Sequence, residues 1–317
     1  MPRAIVTGAR GFIGRHLSRL LAQEGWEVHG LGHGAWPEAE AGRWGLARWL
    51  PGDIDAHNLR LLQMEVGQAD AVFHLAGGAS VGAAVGNPRE DFYRTVATTT
   101  ELLDWVRLHS PSSRVVAVSS AAVYGAGHEG SIMEEAPSIP FSPYGFHKAM
   151  MESLCASYSA SYGVTSVVAR LFSVYGPGLQ KQLLWDLCNK LAEGEGEVRL
   201  GGSGEELRDW TDVRDVSRAI YALLDQATTR SPCFNVGTGV GSSVAEVARH
   251  AAAVWSERTG SRRTIIGFSG VSRPGDPFSL VASPARLESL GFSWSIDWRD
   301  GIAGYIDWYL SERDRQR

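Results

Sequence analysis

The stretch Thr7-Gly8-Ala9-Arg10-Gly11-Phe12-Ile13-Gly14 connects a short apolar run to a helical pattern near the start of the chain. In such a strand–turn–helix unit each glycine has a separate task. Gly8 permits the sharp turn, Gly11 lets a pyrophosphate approach the backbone at the helix N-terminus, and Gly14 allows close packing of helix on strand. The stretch predicts a dinucleotide-binding turn, with cofactor contacts from Gly8, Gly11, Phe12, Ile13 and Gly14.

Around this turn, short apolar runs alternate with helical patterns through the first half of the chain. Helices are predicted over Phe12–Glu24 and Pro88–His109, and a third opens at Ser142-Pro143, with serine as N-cap and proline in the first turn. Continuous apolar strands separated by helices are typical of an α/β fold with a doubly wound, Rossmann-like parallel sheet. The strands are predicted at Ala4–Thr7, Val28–Leu31, Asp70–Leu75, Arg114–Ser119 and Val164–Leu171.

The pattern loosens after about Tyr175, where shorter strands alternate with helices. No Pro/Ser linker separates the two halves, so interleaved boundaries are expected. We expect a cofactor-binding domain over residues 1–175, to which later segments return, and a smaller C-terminal substrate-binding lobe over residues 176–317. The predicted strands of that lobe are Val198–Leu200, Cys233–Val236 and Thr264–Phe268, and its helices are Leu183–Ala192, Val213–Gln226, Val244–Arg258 and Ile302–Leu310.

Composition excludes several classes of protein. The chain has 317 residues, of which 44% are hydrophobic, enough for one large domain with a smaller partner. A net charge of −5 without a basic run argues against nucleic acid as a partner. Three dispersed cysteines predict neither a disulfide framework nor a metal site, and they suit a reducing cytoplasm. We see no signal peptide and no apolar run of the roughly 18 residues that a membrane span needs.

The end of the second strand bears on the choice of cofactor. An acidic residue usually ends this strand and binds the adenosine ribose hydroxyls, but Gly32 stands about there. Without that carboxylate a ribose 2′-phosphate meets no repulsion, and His33, Arg43 or Arg48 are candidates to pair with it. We therefore expect NADP, with NAD as the alternative. Asp53-Ile54 follows a third strand, where an acid can meet the adenine amino group.

A catalytic set is predicted at the start of the third helix. Tyr144 and Lys148 are four residues apart and lie one above the other on a helix face. An ammonium beside a phenol favours the phenolate, so we expect a lowered pKa for Tyr144 and a general acid/base role. Ser120 ends a strand at the edge that faces the ligand crevice in doubly wound sheets, where its hydroxyl can bond the same substrate oxygen.

Several stretches, in order along the chain, carry a family resemblance. With the glycine turn and the Tyr144/Lys148 pair, the chain resembles the extended short-chain dehydrogenases, the NAD-dependent epimerase/dehydratase family, over nearly its whole length. The stretches are Phe73-His74-Leu75-Ala76-Gly77, Ser119-Ser120-Ala121-Ala122-Val123-Tyr124-Gly125, Arg170-Leu171-Phe172-Ser173-Val174-Tyr175-Gly176-Pro177-Gly178, Arg208-Asp209-Trp210-Thr211-Asp212-Val213-Arg214-Asp215-Val216 and Arg273-Pro274-Gly275-Asp276.

The resemblance implies catalysis by Ser120, Tyr144 and Lys148 on a nucleotide-linked sugar, and a homodimer formed through helices Pro88–His109 and Pro143–Tyr162. Arg208 and Arg273 would hold the substrate diphosphate, which suits the forked donors of arginine. Ser173 and Thr95 stand where the family often has asparagine. By the resemblance, further cofactor contacts come from Leu75 and Ala76, and substrate contacts from Ser173, Arg208, Arg273 and Asp276.

The residues after Ser120 restrict the reaction. A 4,6-dehydratase needs a base and an acid, and the dehydratase branch places Asp-Glu where this chain has Ala121-Ala122. The expected reaction is therefore 4-epimerisation, in which the cofactor takes a hydride from carbon 4 and returns it to the other face of the sugar. A reductase that delivers hydride from NADPH to a 4-keto sugar is the alternative, and a non-catalytic cofactor-binding sensor or scaffold is a second alternative.

Overall fold

A computed structural model of the chain describes residues 1–194, 196–271 and 277–315. In chain order the strands of this part of the chain are β1 (Arg3–Thr7), β2 (Glu27–Gly32), β3 (Leu46–Pro51), β4 (Ala71–His74), β5 (Arg114–Ser120), β6 (Ser131–Ile132), β7 (Thr165–Leu171), β8 (Ser173–Tyr175), β9 (Glu197–Leu200), β10 (Leu207–Asp212), β11 (Cys233–Val236), β12 (Gly241–Ser243), β13 (Ile265–Phe268) and β14 (Ser279–Ala282).

The helices of the same residues are α1 (Phe12–Gln23), α2 (Glu38–Arg43), α3 (Ala56–Val66), α4 (Val81–Gly86), α5 (Pro88–Phe92), α6 (Thr98–His109), α7 (Pro143–Tyr162), α8 (Gln182–Glu193), α9 (Val213–Ala222), α10 (Val244–Thr259), α11 (Ala285–Glu288) and α12 (Trp298–Arg315). A π-helical turn, Tyr93–Ala97, joins α5 to α6, and 3₁₀ turns cover Ala121–Val123 and Leu223–Gln226. The predicted helix Pro88–His109 is therefore interrupted by a π turn.

Seven strands form a parallel sheet in the order β3-β2-β1-β4-β5-β7-β11. The strand order reverses between β1 and β4, which opens a crevice at their carboxyl ends. Successive side chains of a strand point to opposite faces of the sheet. Ala4 and Val6 accordingly pack in the core beneath α1 and α9, whereas Ile5 packs in the core beneath α3, α6 and α7. The predicted α/β, doubly wound, Rossmann-like sheet is confirmed.

A second sheet lies beyond the crevice. It runs in the order β12-β10-β14-β6, and β8 pairs with the far half of β10. β9 and β13 form a separate parallel pair, and α8, α10 and α12 share an apolar core with it. The end of β7 leads directly into β8, so the chain passes from the first sheet to the second within three residues.

One segment lies in a different sheet from the one we expect. Cys233–Val236, predicted in the smaller C-terminal lobe, is the edge strand β11 of the seven-stranded sheet, paired in parallel with β7. Phe234 and Val236 are buried in the core beneath α1 and α9. Since the chain returns to the first sheet after β10, the two lobes are interleaved.

Two kinds of feature are absent from the described residues. None of their helices is long and apolar enough to cross a membrane. Within the same ranges, no group of three or more His, Cys, Asp or Glu side chains is arranged to hold a metal ion.

Candidate active site

A cleft of about 1120 Å³ lies at the carboxyl ends of the parallel strands. The glycine turn, the end of β4, the end of β5 and the first turn of α7 line one side. β8, β10 and the first turn of α8 line the other. This is the position at which open α/β sheets bind their ligands.

The glycine turn has the backbone geometry that a pyrophosphate needs. Gly8 has φ +71°, in the region that favours glycine, and its N–H donates to the Leu31 carbonyl at 2.8 Å. A Cβ on Gly14 would collide with the Gly8 carbonyl, so helix α1 approaches the turn as closely as glycine permits. Gly11 is the N-cap of α1 and supplies no side chain to cap it, so the N-terminal N–H groups of the helix face the cleft.

The other predicted cofactor residues lie along the same side of the cleft. Phe12, Ile13, Ile54, Leu75 and Ala76 all line it. Asp53 lies in an adjoining pocket of about 410 Å³ that it shares with His33, and the two side chains pair at 2.6 Å.

Two predicted partners of a 2′-phosphate lie away from the cleft. Arg48 pairs with Glu65 at 3.0 Å, and neither Arg48 nor Arg43 is among the residues that line the cleft. The register of β3 against β2 and the position of α2 direct these side chains elsewhere. Of the three candidates only His33 lines the cleft, and Arg10 of the glycine turn, which sequence reasoning misses, lines it as well.

Ser120, Tyr144 and Lys148 meet at the opposite end of the cleft. Pro143 begins helix α7, and the Ser142 hydroxyl accepts from the Gly145 N–H at 3.2 Å, which fixes Tyr144 in the first turn. The Ser120 side chain hydrogen-bonds Tyr144. The Lys148 ammonium donates to the Val118 carbonyl at 2.9 Å and lies 6.0 Å from the centre of the Tyr144 ring.

The expected effect of Lys148 on Tyr144 does not appear. Burial raises the pKa of Tyr144 above its usual value, Asp91 raises it further, and only the hydrogen bond from Ser120 lowers it. The reason is geometric, because the ammonium is directed to the Val118 carbonyl and not to the phenol oxygen. The pKa of Tyr144 is therefore raised in this arrangement and not lowered as the helical spacing predicts.

Lys148 is itself influenced by its burial and by two nearby carboxylates. Burial lowers its pKa to about 8, while Asp91 and Glu152 oppose that shift. Asp91 pairs with Nδ1 of His147 at 2.6 Å, and both side chains are buried. A Cβ on Gly78 would collide with the Asp91 carboxylate, and the Thr95 hydroxyl accepts from the Gly78 N–H at 2.8 Å. The floor of the cleft therefore rests on this pair and on Thr95.

The predicted substrate residues divide into two groups. Ser173 and Arg208 line the cleft from the second sheet, with Ser173 on β8 and Arg208 on β10. The Arg208 guanidinium donates to the Leu207 carbonyl at 2.7 Å and to the Phe278 carbonyl at 3.3 Å. Arg273 and Asp276 lie outside the described residues.

Basic side chains outnumber acidic ones along the described part of the cleft. Among the described residues that line it, the acidic side chains are those of Glu40 and Asp186. The basic ones outnumber them: Arg10, Arg15, His33, Arg94, Lys148, Lys181 and Arg208. A cleft with this excess attracts ligands that carry phosphate groups.

Comparison with known proteins agrees with this geometry. The profile of the NAD dependent epimerase/dehydratase family matches residues 4–237, so the chain belongs to that family. It is 32% identical to the UDP-glucose 4-epimerase of Azospirillum brasilense, over 95% of this chain and 90% of that protein. It is 30% identical to the dTDP-glucose 4,6-dehydratase of Streptomyces griseus, over 98% and 94% of the two chains.

A solved structure extends the similarity to three dimensions. MoeE5, in complex with UDP-glucuronic acid and NAD, superposes with a TM-score of 0.84 at 31% identity, covering 98% of this chain and 99% of that one. The chain is thus a member of the NAD dependent epimerase/dehydratase family, and both an epimerase and a dehydratase that are named for nucleotide sugars are among its relatives.

Proposed function

We propose that this protein is an NAD(P)-dependent nucleotide-sugar 4-epimerase, with Tyr144 as the acid/base. The observation that carries the proposal is the meeting of Ser120, Tyr144 and Lys148 at one end of a cationic cleft whose other end is the glycine turn. The cleft has room for a dinucleotide and a nucleotide sugar side by side. Sequence relatives and structural neighbours that act on or bind UDP-sugars support a UDP-hexose or UDP-hexuronate as substrate.

The residues of the glycine turn fit the cofactor, since Gly8 has a positive φ and Gly14 packs so closely on the Gly8 carbonyl that a Cβ would collide with it. When bound, NAD(P) supplies the acceptor and donor of hydride at carbon 4. Tyr144 exchanges a proton with the oxygen on carbon 4, and the Ser120 hydroxyl hydrogen-bonds the same oxygen. Lys148 keeps a positive charge beside this oxygen and helps to orient the nicotinamide ribose. Ser173 and Arg208 hold the diphosphate across the cleft.

The site lacks the acid and the base that a dehydration needs. Ala121 and Ala122 line the cleft directly after Ser120, and neither carries a proton. Of the acids lining the described part of the cleft, Glu40 lies on α2 and Asp186 on α8, so neither follows Ser120 on β5. The dehydratase relatives therefore share the fold and the hydride chemistry with this chain, but not the elimination step.

A 4-keto-sugar reductase is the second candidate, and one observation favours it. The end of β2 has no acid, and Arg10 lines the same end of the cleft, an arrangement suited to NADPH. The same three residues would then protonate the carbon 4 oxygen once, without return of the hydride.

A panel of UDP-, dTDP-, GDP- and CDP-hexoses and of nucleotide 4-keto sugars tests the proposal, when each is incubated with the protein and either NAD⁺ or NADPH and read by proton NMR. We expect interconversion of the carbon 4 epimers of at least one sugar without net consumption of cofactor. We expect no 4-keto-6-deoxy product, because losing an acid and a base costs about 10²–10⁴-fold each. Turnover of only 4-keto sugars with NADPH would select the reductase, and a 4-keto-6-deoxy product would contradict our account of the site.

The functional unit we propose is a homodimer in the cytoplasm. Helices α5 to α7 expose apolar side chains that a monomer would leave in water, and the unpaired cysteines suit a reducing compartment. The exposed side chains are those of Phe92, Tyr93, Leu108, Phe146, Met150 and Tyr162.

A further inference from the structure

We infer that His147 is a positioning residue for the catalytic end of the cleft, because its hydrogen bond to the buried Asp91 carboxylate keeps that carboxylate from competing for the Lys148 ammonium. The inference rests on the proposed function, in which Tyr144 exchanges a proton beside a charged Lys148. His147 on α7 and Asp91 on α5 are not among the residues that line the cleft. Three features of the structure carry the inference.

The first feature is the geometry of the pair. Nδ1 of His147 lies 2.6 Å from Oδ2 of Asp91, and the two side chains are 11% and 5% exposed. An ionised carboxylate only accepts hydrogen bonds, so the imidazole nitrogen is the donor. The Phe92 ring packs edge-on against the imidazole, with the ring centroids 5.6 Å apart. Since a buried carboxylate is costly without a hydrogen-bond donor, His147 stabilises Asp91 in this position.

The second feature is the short distance from this carboxylate to the catalytic pair. A Cβ on Gly78 would collide with Oδ1 of Asp91, and a Cβ on the preceding Gly77 would lie 3.2 Å from the Lys148 ammonium. Two consecutive residues of the cleft wall thus contact the carboxylate and the ammonium. Burial is the largest influence on the pKa values of Lys148 and Tyr144, and the Asp91 charge raises both. Without the imidazole, the carboxylate would draw the ammonium toward itself.

The third feature is the charge balance of the elements that pack on α7. In the described part of the chain α4 carries no titratable side chain. The other ion pairs of α5, α6, α7, β5 and the π turn each contain an arginine: Glu90–Arg94, Asp104–Arg107, Arg114–Asp225 and Glu152–Arg170. Asp91 is thus the carboxylate of this region that pairs with an imidazole, and substitution of His147 removes that partner.

Variants of the full-length protein, assayed on the sugar that the panel identifies, test the inference. His147→Leu keeps a side chain of similar size without a donor. Turnover should fall about tenfold, because a rise of about one unit in the pKa of Tyr144 lowers its phenolate fraction about tenfold. His147→Asn carries an amide N–H at the position of Nδ1 and should retain most of the turnover. His147→Leu/Asp91→Asn should recover turnover, since the double variant also removes the carboxylate charge.

The recovery distinguishes a positioning role from a packing role. His147→Leu/Asp104→Asn is the matched control, because Asp104 pairs with Arg107 on α6, and it should remain as slow as His147→Leu. A pair that serves only packing gives no recovery, so His147→Leu/Asp91→Asn no faster than His147→Leu would overturn the inference. Wild-type turnover by His147→Leu would overturn it as well.

The ionisation of Tyr144 provides a second readout that needs no sugar. The ultraviolet absorbance of tyrosinate is recorded for the NAD⁺-loaded protein at a pH where circular dichroism shows every variant folded. The absorbance of the same protein with Tyr144→Phe is subtracted. Relative to the wild type, the tyrosinate fraction of Tyr144 should be about tenfold smaller in His147→Leu and larger in Asp91→Asn.

This readout separates the inference from the proposed function. Equal tyrosinate fractions in the wild type, His147→Leu and Asp91→Asn would overturn the inference in a protein that epimerises sugars. The expected changes in a protein that epimerises no sugar of the panel would overturn the proposed function and support the role of His147.

Discussion

The imidazole of His74 connects three elements at the centre of the fold. Its Nδ1 lies 2.8 Å from the Thr7 hydroxyl at the end of β1, and its Nε2 lies 3.0 Å from the Thr99 hydroxyl on α6. Thr7 in turn accepts from the Ala76 N–H at 3.3 Å, in the segment that lines the cleft. His74 therefore supports the glycine turn from behind without facing the ligand.

This burial makes stability depend on pH. Burial, assisted by the charge of Lys148, lowers the pKa of His74 to about 3. An unfolded histidine binds its proton below pH about 6.5, so the contribution of the neutral ring is complete above that pH and is lost as pH falls toward 3. His16, whose pKa burial lowers to about 4, acts in the same direction.

We expect the free energy of unfolding to fall by about 2 kcal/mol between pH 7 and pH 5 through His74 alone. Urea unfolding at pH 7 and pH 5 measures this. His74→Gln should reduce the difference between the two pH values by about that amount, and His57→Gln, at an exposed position on α3, should not. Identical pH dependence in the wild type and His74→Gln would show that the ring is not held neutral.

The role of a residue can be predicted from sequence when it depends on that residue's own backbone conformation or on its spacing along a helix. The glycine turn and the Tyr144/Lys148 spacing are of that kind. Prediction fails for Arg10 and for the pair of Asp91 with His147, since their partners lie more than twenty residues away along the chain. The pKa of Tyr144 is missed because helical spacing does not show where the lysine ammonium points.

At the scale of elements, the stretch from Arg208 to Val216 shows how one motif serves two purposes. Arg208 and Trp210 line the cleft. The buried Asp209 accepts from the backbone N–H groups of Thr238 and Gly239 at 2.8 Å, and Asp212 caps α9 through the Arg214 N–H at 2.9 Å. Alternate residues of β10 thus face ligand and scaffold, and the motif's acids hold the second sheet together.

A buried hydrogen-bond network holds the elements around Ser120 and Tyr144 together. Arg170 on β7 makes a two-pronged ion pair with Glu152 on α7, at 3.0 and 2.7 Å, and Glu152 also accepts from the Ser119 hydroxyl. The Tyr124 hydroxyl accepts from Arg170 at 2.8 Å and donates to Asn235 of β11 at 2.7 Å. The network fixes α7 against the ends of β5 and β7, and so fixes Tyr144 relative to Ser120.

A strand or helix is predictable from sequence when its burial imposes a regular pattern of apolar residues. The strands β1, β2, β4, β5 and β7 are continuous apolar runs because both faces of the first sheet are covered. The five strands of the second sheet are not predicted. Most of them have two to four residues, and β10 carries polar side chains both toward the cleft and toward the rest of the second sheet. The sequence of β11 predicts a strand, but no neighbouring residue indicates that this strand pairs with β7, some sixty residues earlier in the chain.

At the scale of the whole molecule, the exposed apolar side chains of α5 to α7 predict association. Phe146 and Met150 are one helical turn apart on α7 and are 50% and 44% exposed. A symmetric dimer would bury this face against its own copy, the commonest arrangement of soluble oligomers. Sedimentation velocity should give twice the mass of the chain.

The double variant Phe146→Glu/Met150→Glu should sediment as a monomer, because opposing carboxylates would meet in the apolar interface. Met64→Glu is the control, since Met64 is 76% exposed on α3, away from α5 to α7, and it should remain dimeric. A wild-type protein that sediments at the mass of one chain would contradict the dimer.

The measurement that tests the account most directly is the rate of carbon 4 epimerisation by Tyr144→Phe, on the sugar that the panel identifies. The substitution removes one oxygen from the half-buried ring and leaves the glycine turn untouched. Tyr162→Phe, at the exposed C-terminal end of the same helix, is the control and should retain wild-type turnover. We predict that Tyr144→Phe loses about 10²–10⁴-fold in turnover while binding its cofactor as the wild type does. Turnover by Tyr144→Phe near that of the wild type would contradict the assignment of Tyr144 as the acid/base.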